Sequence, residues 1–197
     1  MRNLLSTKDQ RQLRLMETLI QNRNWMKLHE LAEKLGCTER ILKSDLNELR
    51  AAFPTIDIQS SINGIMIDLE VNTSVEDVYQ YFLAHSQSFQ LLEYLFFNEG
   101  LPIYRTIENL HSSNANLYRL GRNITKTLST QFQIELSFTP SEIRGNEIDI
   151  RYFFAQYFSE RYYFLDWPFP DLPEEDLTEF ADFFYKITNY PMRFSIY

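Results

Sequence analysis

The stretch LHELAEKLGCTERILKSDLNELR, residues 28–50, constrains the fold more than any other part of the chain. Leu28, Leu31, Ala32 and Leu35 recur at helical spacing. Gly36-Cys37 then breaks the pattern, and Leu42, Leu46 and Leu49 resume it with Ile41 flanking. Glycine accepts the left-handed backbone found just past a helix, so the first run ends at Gly36. Thr38 supplies an N-cap for the second run, and Glu39 places a carboxylate in its first turn, where the helix dipole favours it. Upstream, KDQRQLRLMETLIQN carries Leu13, Met16, Leu19 and Ile20 on one helical face. Downstream of Pro54, IDIQSSINGIMIDL gives two β-rich runs around Asn63-Gly64, a dipeptide that favours a type I′ hairpin turn with positive φ at the glycine. Helix, helix, turn, helix and hairpin in this order predict a winged helix-turn-helix.

The order then repeats. VEDVYQYFLAH and SFQLLEYLFFNEG read as two helices ending at Gly100, and Ile103, Ile107 and Leu110 mark a short helix after Pro102. The polar turn His111-Ser112-Ser113 leads into NANLYRLGRNITKTLSTQF, whose apolar stripe is Leu117, Leu120, Ile124 and Leu128. Gly121 inside this helix costs about 1 kcal/mol relative to alanine. QIELSF alternates as a strand, Ile143 opens its partner before Gly145, and Asn146 caps an aromatic-rich helix. WPFPDLP, with three prolines in seven positions, is a stiff boundary, and EEDLTEFADFFYKITNY starts another helix. The expected architecture is mainly α with small β wings: two tandem winged helix-turn-helix domains, 1–72 and 73–165, followed by a linker and helical tail, 166–197. Phe180, Phe183 and Phe184 would leave a lone tail helix with a bare apolar face. The expectation is that the chain is the N-terminal piece of a longer protein, or that this helix packs on the second unit.

The polar faces carry the functional reading. Arg40, Lys43, Ser44 and Asn47 follow the i, i+3, i+4, i+7 spacing of one helix face. Arg or Lys can donate to guanine and Asn can pair with adenine when a helix enters the major groove. In the second copy Asn116, Arg119, Asn123 and Lys126 share a face, with Arg122 beside it. A solvated surface helix is the plainer reading of such strips, and the preceding short helix, the glycine turn and the following hairpin weigh against it. The net charge of -8 does not exclude DNA. Residues 166–197 hold two Lys/Arg against seven Asp/Glu, and no carboxylate lies between Glu108 and Glu135. Binding is therefore expected on small local patches rather than through a basic surface.

Other classes find less support. Five glycines, and no glycine-rich phosphate loop or catalytic set of serine, cysteine or carboxylate, argue against an enzyme. His29, His85 and His111 are scattered, and Cys37 is the one cysteine, so no metal, cofactor or disulfide is expected. Cys37 reads as a small apolar residue in the turn, and the aromatics of residues 147–184 as core and interface. No run of about 18 apolar residues suggests a membrane span, and the polar start MRNLLSTKDQRQ is unlike a secretory signal. A cytoplasmic protein without membrane partners is expected.

LHELAEKLGCTERILKSDLNEL resembles the first helix-turn-helix of several bacterial regulators, including the DeoR type, whose Asp-Leu matches Asp45-Leu46. SSNANLYRLGRNITKTL resembles the second recognition helix of the Mga/AtxA family of bacterial virulence regulators, with Leu117-Tyr118-Arg119 at its centre. IRGNEIDIRYFFAQYF resembles that family's segment joining the wing to the next helix. The likeness spans roughly residues 8–165. It implies two helix-turn-helix units on double-stranded promoter DNA, then domains like those of phosphotransferase-system regulation, of which the tail would be the beginning. It also implies an activator of virulence or carbohydrate-linked genes, RNA polymerase as a further partner, and a homo-oligomer in the full-length protein. Two alternatives stay open: a winged-helix scaffold for protein interaction or dimerisation, and a sugar-operon regulator of the DeoR or antiterminator type.

Overall fold

A computed structural model of the chain describes residues 1–68, 74–163 and 167–189. The domain boundaries expected at 72/73 and 165/166 lie outside these residues. The chain divides at Ile150/Arg151 into two compact units, and both helix-turn-helix patterns fall in the first.

The first copy opens with a 3-10 turn, Arg2–Leu4, and helix α1, Thr7–Asn22, whose N-cap Ser6 accepts from the Asp9 backbone N–H at 3.1 Å. Leu13, Leu15, Met16 and Leu19 are buried along α1. Helices α2, Leu28–Lys34, and α3, Glu39–Ala52, follow. Gly36 sits at φ 63° between them. There the Cys37 N–H reaches Ala32 O at 2.9 Å and the Gly36 N–H reaches Glu33 O at 3.1 Å. These bonds are the paired closures that satisfy the last helical carbonyls when a left-handed residue ends a helix. Thr38 caps α3 by accepting from the Ile41 N–H at 3.3 Å. Leu42, Leu46 and Leu49 are buried as their spacing predicts, at about 1.5–3 kcal/mol each. Ile41, which flanks that stripe, remains 40% exposed.

Strands β1, Asp57–Ser61, and β2, Gly64–Asp68, form the first wing, with Ile58 opposite Ile67 and Ser61 opposite Gly64. This register corrects the expected type I′ turn. The turn residues are Ile62 and Asn63, neither of which has positive φ, and Gly64 begins β2 at φ 126°. The glycine is needed for a different reason. Met26 and Ile65 form an isolated antiparallel bridge through N–H···O bonds of 2.9 and 2.8 Å, and a Cβ on Gly64 would lie 2.0 Å from Met26 O.

Helix α4, Val75–His85, connects the copies. It starts in a capping box in which the Ser74 N–H donates to Asp77 Oδ2 at 2.8 Å and the Asp77 N–H donates to Ser74 Oγ at 3.1 Å. It packs on α1, and the Phe53 and Tyr81 rings meet at 4.5 Å. The second copy comprises α5, Gln87–Phe97, α6, Ile103–Asn109, α7, Asn114–Leu128, β3, Glu135–Phe138, and β4, Ser141–Arg144. Phe89, Leu91, Leu92 and Leu95 are buried on α5 with the spacing seen on α1. The strand that begins at Ser141 starts two residues before Ile143, and Ser141 O accepts from the Gly100 N–H at 2.8 Å. The protein is thus mainly α with small β wings, two tandem winged helix-turn-helix domains followed by a helical tail.

Helix α8, Glu147–Arg161, starts where Asn146 Oδ1 accepts from the Ile148 N–H at 2.8 Å. Phe153, Phe154, Tyr157 and Phe158 are buried on it. Helix α9, Glu174–Thr188, has no buried residue, and Phe180 and Phe183 are exposed. Among the described residues, no helix is long and apolar enough to cross a membrane.

Candidate nucleic-acid interface

With Leu42, Leu46 and Leu49 turned inward, helical geometry forces Arg40, Lys43, Ser44 and Asn47 outward, and all four are exposed. Among the described residues no carboxylate pairs with Arg40 or Lys43. Lys43 and Asn47 border a groove of about 230 Å3 between α3 and the first wing, which Ser60 and Ser61 line from the other side. Arg50 closes its base. Its guanidinium donates to Ile58 O at 3.0 Å, to Ser60 Oγ, and to Asn47 Oδ1 at 3.3 Å. One side chain thereby fixes the angle between helix and wing and occupies the Asn47 carbonyl oxygen, leaving that amide's N–H groups outward. Sequence reading missed Arg50 because two of its partners, Ile58 and Ser60, lie beyond the helix, on a strand.

The helix itself is braced from behind. Asp45, 2% exposed, receives Arg11 Nε at 2.6 Å and Arg11 Nη2 at 3.1 Å, and Gln12 Nε2 at 3.0 Å. Gln12 also donates to Glu48 Oε2 at 2.9 Å, and Lys8 pairs with Glu48. The Asp45 hydrogen bond raises the Arg11 pKa against the desolvation that lowers it. The Lys8 and Gln12 hydrogen bonds hold the Glu48 carboxyl below its ordinary range. A two-pronged guanidinium–carboxylate pair adds orientation as well as energy, so α1 sets how α3 is presented. Burial pushes the Cys37 thiol up, keeping it protonated at neutral pH.

On α7, Leu117, Ile124 and Leu128 are buried and Arg119, Arg122, Asn123 and Lys126 are exposed. Asn116 is half-buried. Its amide donates to Ser112 Oγ at 2.9 Å and to Gln87 Oε1 at 3.4 Å, and its oxygen accepts from Arg119 Nη2 at 2.6 Å. Each end of this amide is engaged, which makes Asn116 a support for Arg119. Arg119, Asn123 and Lys126 line a groove of about 680 Å3 shared with the 3-10 turn, the start of α1, and Ser86–Ser88. Arg122 lies outside that groove. His85 stacks on Tyr81 at 4.0 Å, and His111 occupies a left-handed position at φ 46°. Among the described residues no three His, Cys, Asp or Glu side chains gather as metal ligands.

The sequence matches three family models: the M protein trans-acting positive regulator (MGA) HTH domain over residues 6–65, the Mga helix-turn-helix domain over 71–158, and the M protein trans-acting positive regulator (MGA) PRD domain over 173–197. It is 47% identical over 195 residues to a putative trans-acting regulator of Streptococcus pneumoniae serotype 4 (strain ATCC BAA-334 / TIGR4), an alignment covering 99% of this chain and 40% of that protein. It is 26% identical over 179 residues to the capsule synthesis positive regulator AcpA of Bacillus anthracis, covering 88% of this chain and 36% of that protein. The chain thus spans about two fifths of the length of the curated relatives it matches.

Proposed function

Because the chain belongs to the Mga family of transcription regulators, we propose that its two winged units bind double-stranded promoter DNA together and that it serves a positive regulator. Arg40, Lys43, Ser44 and Asn47 read bases from α3 in one major groove. The face of α7 bearing Asn116, Arg119, Arg122, Asn123 and Lys126 engages the next segment of the same duplex. The domains run 1–72, 73–165 and 166–197, a division that the family matches at 6–65, 71–158 and 173–197 support. The regulated genes belong to virulence or carbohydrate use, RNA polymerase is the partner at the promoter, and the full-length protein is a homo-oligomer in the cytoplasm. The capsule regulator's name supports the direction of control, activation.

The observation that carries the reading is the α3 strip: two cations without described acidic partners and two short polar side chains, bordered by a wing. A helix with that face fits the major groove, and the adjoining wing fits the backbone beside it. The test is a salt-titrated binding assay on random and promoter-type duplexes. The logarithm of the affinity should fall linearly with log salt, and promoter-type sequences should retain an advantage at every salt concentration. Binding that ignores salt and sequence would favour the protein-interaction scaffold.

A further inference from the structure

We infer that the base-reading face of the second unit is formed by Tyr118, Arg119 and Arg122, and that Asn116, Asn123 and Lys126 lie off it. This rests on the DNA-binding reading above and refines which residues carry out its second half.

The two helix-turn-helix corners correspond at a constant spacing of 75 residues, from Gly36 to His111 and from Thr38 to Ser113. Helix α2 ends on Leu35 at φ -92°, ψ -1°, and α6 ends on Leu110 at φ -89°, ψ 6°. The Cys37 N–H to Ala32 O bond of 2.9 Å recurs as Ser112 N–H to Ile107 O at 3.1 Å. Gly36 N–H to Glu33 O at 3.1 Å recurs as His111 N–H to Glu108 O at 3.3 Å. The caps repeat too, Thr38 accepting from Ile41 and Ser113 from Asn116. The buried positions follow in step: Leu42 with Leu117, Leu46 with Gly121, Leu49 with Ile124. Even the attachment to the wing is made from one position. Arg50 holds β1 through Ile58 O, and Thr125 Oγ1 accepts from the Leu136 N–H of β3 at 3.0 Å.

In this register Lys43 corresponds to Tyr118, Ser44 to Arg119, Asn47 to Arg122, and Arg40 to Ala115. Asn116, Asn123 and Lys126 correspond to Ile41, Glu48 and Ala51, which flank the first strip rather than form it. The side chains agree with that division. Tyr118 is 42% exposed and rests edge-on against Phe138 of the second wing at 5.2 Å, as Lys43 borders the first wing. A ring so held presents an apolar surface suited to the 5-methyl group of thymine. Arg119 is aimed by the Asn116 oxygen, and both arginines can donate to guanine. Arg119 stands at the boundary, since it lines the groove with the start of α1 beside Asn123 and Lys126, whereas Tyr118 and Arg122 lie outside it. In that groove Lys126 meets phosphate.

The test is selection of the whole chain on a pool of random-sequence duplexes, followed by binding to the selected site and to variants with deoxyuridine for thymine under the second unit. In the unmodified chain, loss of a contacted thymine methyl should weaken binding about fourfold, the worth of one buried methyl group. Tyr118→Ala should abolish that difference, and Arg122→Ala should flatten the preference under the second unit while that under the first persists. Tyr118→Phe keeps the ring on Phe138 and should keep the thymine effect, which separates recognition from loss of packing. Asn123→Ala and Lys126→Ala should weaken all sequences alike. If Asn123→Ala flattens the preference and Tyr118→Ala with Arg122→Ala leaves it, the assignment is overturned and DNA binding stands. If the unmodified chain selects no sequence under either unit, the DNA-binding reading itself fails.

Discussion

A Cβ on Gly121 would lie 2.5 Å from Cε2 and 2.7 Å from Cζ of Phe138. Phe138, 6% exposed, brings the second wing down onto α7 at the one helical position without a side chain, and Tyr118 closes over the ring from the neighbouring turn. A residue that weakens the helix in isolation is what allows helix and wing to touch. The presentation of α7 therefore depends on a contact between elements, and this dependence can be measured.

Gly121→Ala should destabilise the chain by up to about 2 kcal/mol. Overpacking costs about 1–3 kcal/mol, and the helix propensity of alanine returns about 1. In a Phe138→Leu background the clash is relieved, so the same change should be neutral or stabilising. A urea-denaturation double-mutant cycle gives the coupling directly. Stabilisation by Gly121→Ala in the otherwise unaltered chain would mean that the ring does not approach the helix this closely.

Gly64→Val tests the first wing in the same manner. The obstacle is the Met26 carbonyl at 2.0 Å, a backbone atom, together with a φ of 126° that a β-branched residue rarely adopts. Relief requires opening the Met26–Ile65 bridge, so a loss above about 2 kcal/mol is expected from strain and two hydrogen bonds combined. An unchanged melting temperature would show that the bridge is not formed in solution.

These two glycines mark where the sequence was readable and where it was not. Apolar periodicity located the described α-helices, and Gly36, Thr38 and Asn146 acted as corner and caps, because the physics of each is local. Gly64 was recognised as a hairpin residue, yet its partner at Met26 is 38 residues away and left no trace in the turn pattern. Gly121 looked like a defect for the same reason. Asn116 looked like a base reader because periodicity gives the face a residue occupies but not the neighbours that take up its amide. Arg11 carried no signal of its own in the sequence, because its counter-charge Asp45 lies 34 residues on.

The Arg11–Asp45 pair should be expensive to break. Arg11→Ala leaves a carboxylate that is 2% exposed with Gln12 as its remaining donor. Removing one partner of a buried pair typically costs about 3–5 kcal/mol, and Arg11 keeps 20% side-chain exposure, so about 3 is expected. Asp45→Asn should cost less, because the charge left without its partner is then the Arg11 guanidinium, whose side chain keeps 20% exposure to water. Equal and small losses in both variants would make the brace incidental.

Glu48 predicts a specific acid sensitivity. Its folded pKa is depressed by the Lys8 and Gln12 hydrogen bonds, so its contribution to stability is complete above its unfolded value of about 4.3. The contribution is lost as pH falls through the lower folded value. Urea midpoints of the unaltered chain and of Glu48→Gln should therefore differ at neutral pH and converge below about pH 4. A gap that persists to pH 2 would assign the difference to packing rather than to charge.

Arg40→Ala and Asn47→Ala address base readout by the first unit. Each should weaken preferred sites by about 1–3 kcal/mol for a lost two-pronged contact and flatten the sequence preference. Asn47→Ala also frees one donor of Arg50, so the Arg50 link to Ile58 should be checked by its effect on stability. Equal loss on all sequences would restrict both residues to phosphate.

The final prediction concerns whether the units act on one duplex. Each presents few cations, and the chain carries a net charge of -8, so a single strip should hold DNA weakly at physiological salt. Joining the strips on one chain makes the second binding event intramolecular and adds affinity only if both reach the same helix. The slope of log K against log salt counts neutralised phosphates at about -0.9 each. Replacing Arg119, Arg122 and Lys126 together with alanine should shallow the slope by about 3 units if all three meet phosphate. The reduction should be about 1 unit if Lys126 alone meets phosphate and the arginines face bases. The footprint should shorten in both cases, and the preference under the first unit should persist. An unchanged slope with an unchanged footprint would reduce residues 73–165 to a spacer and leave a binder that depends on a partner chain.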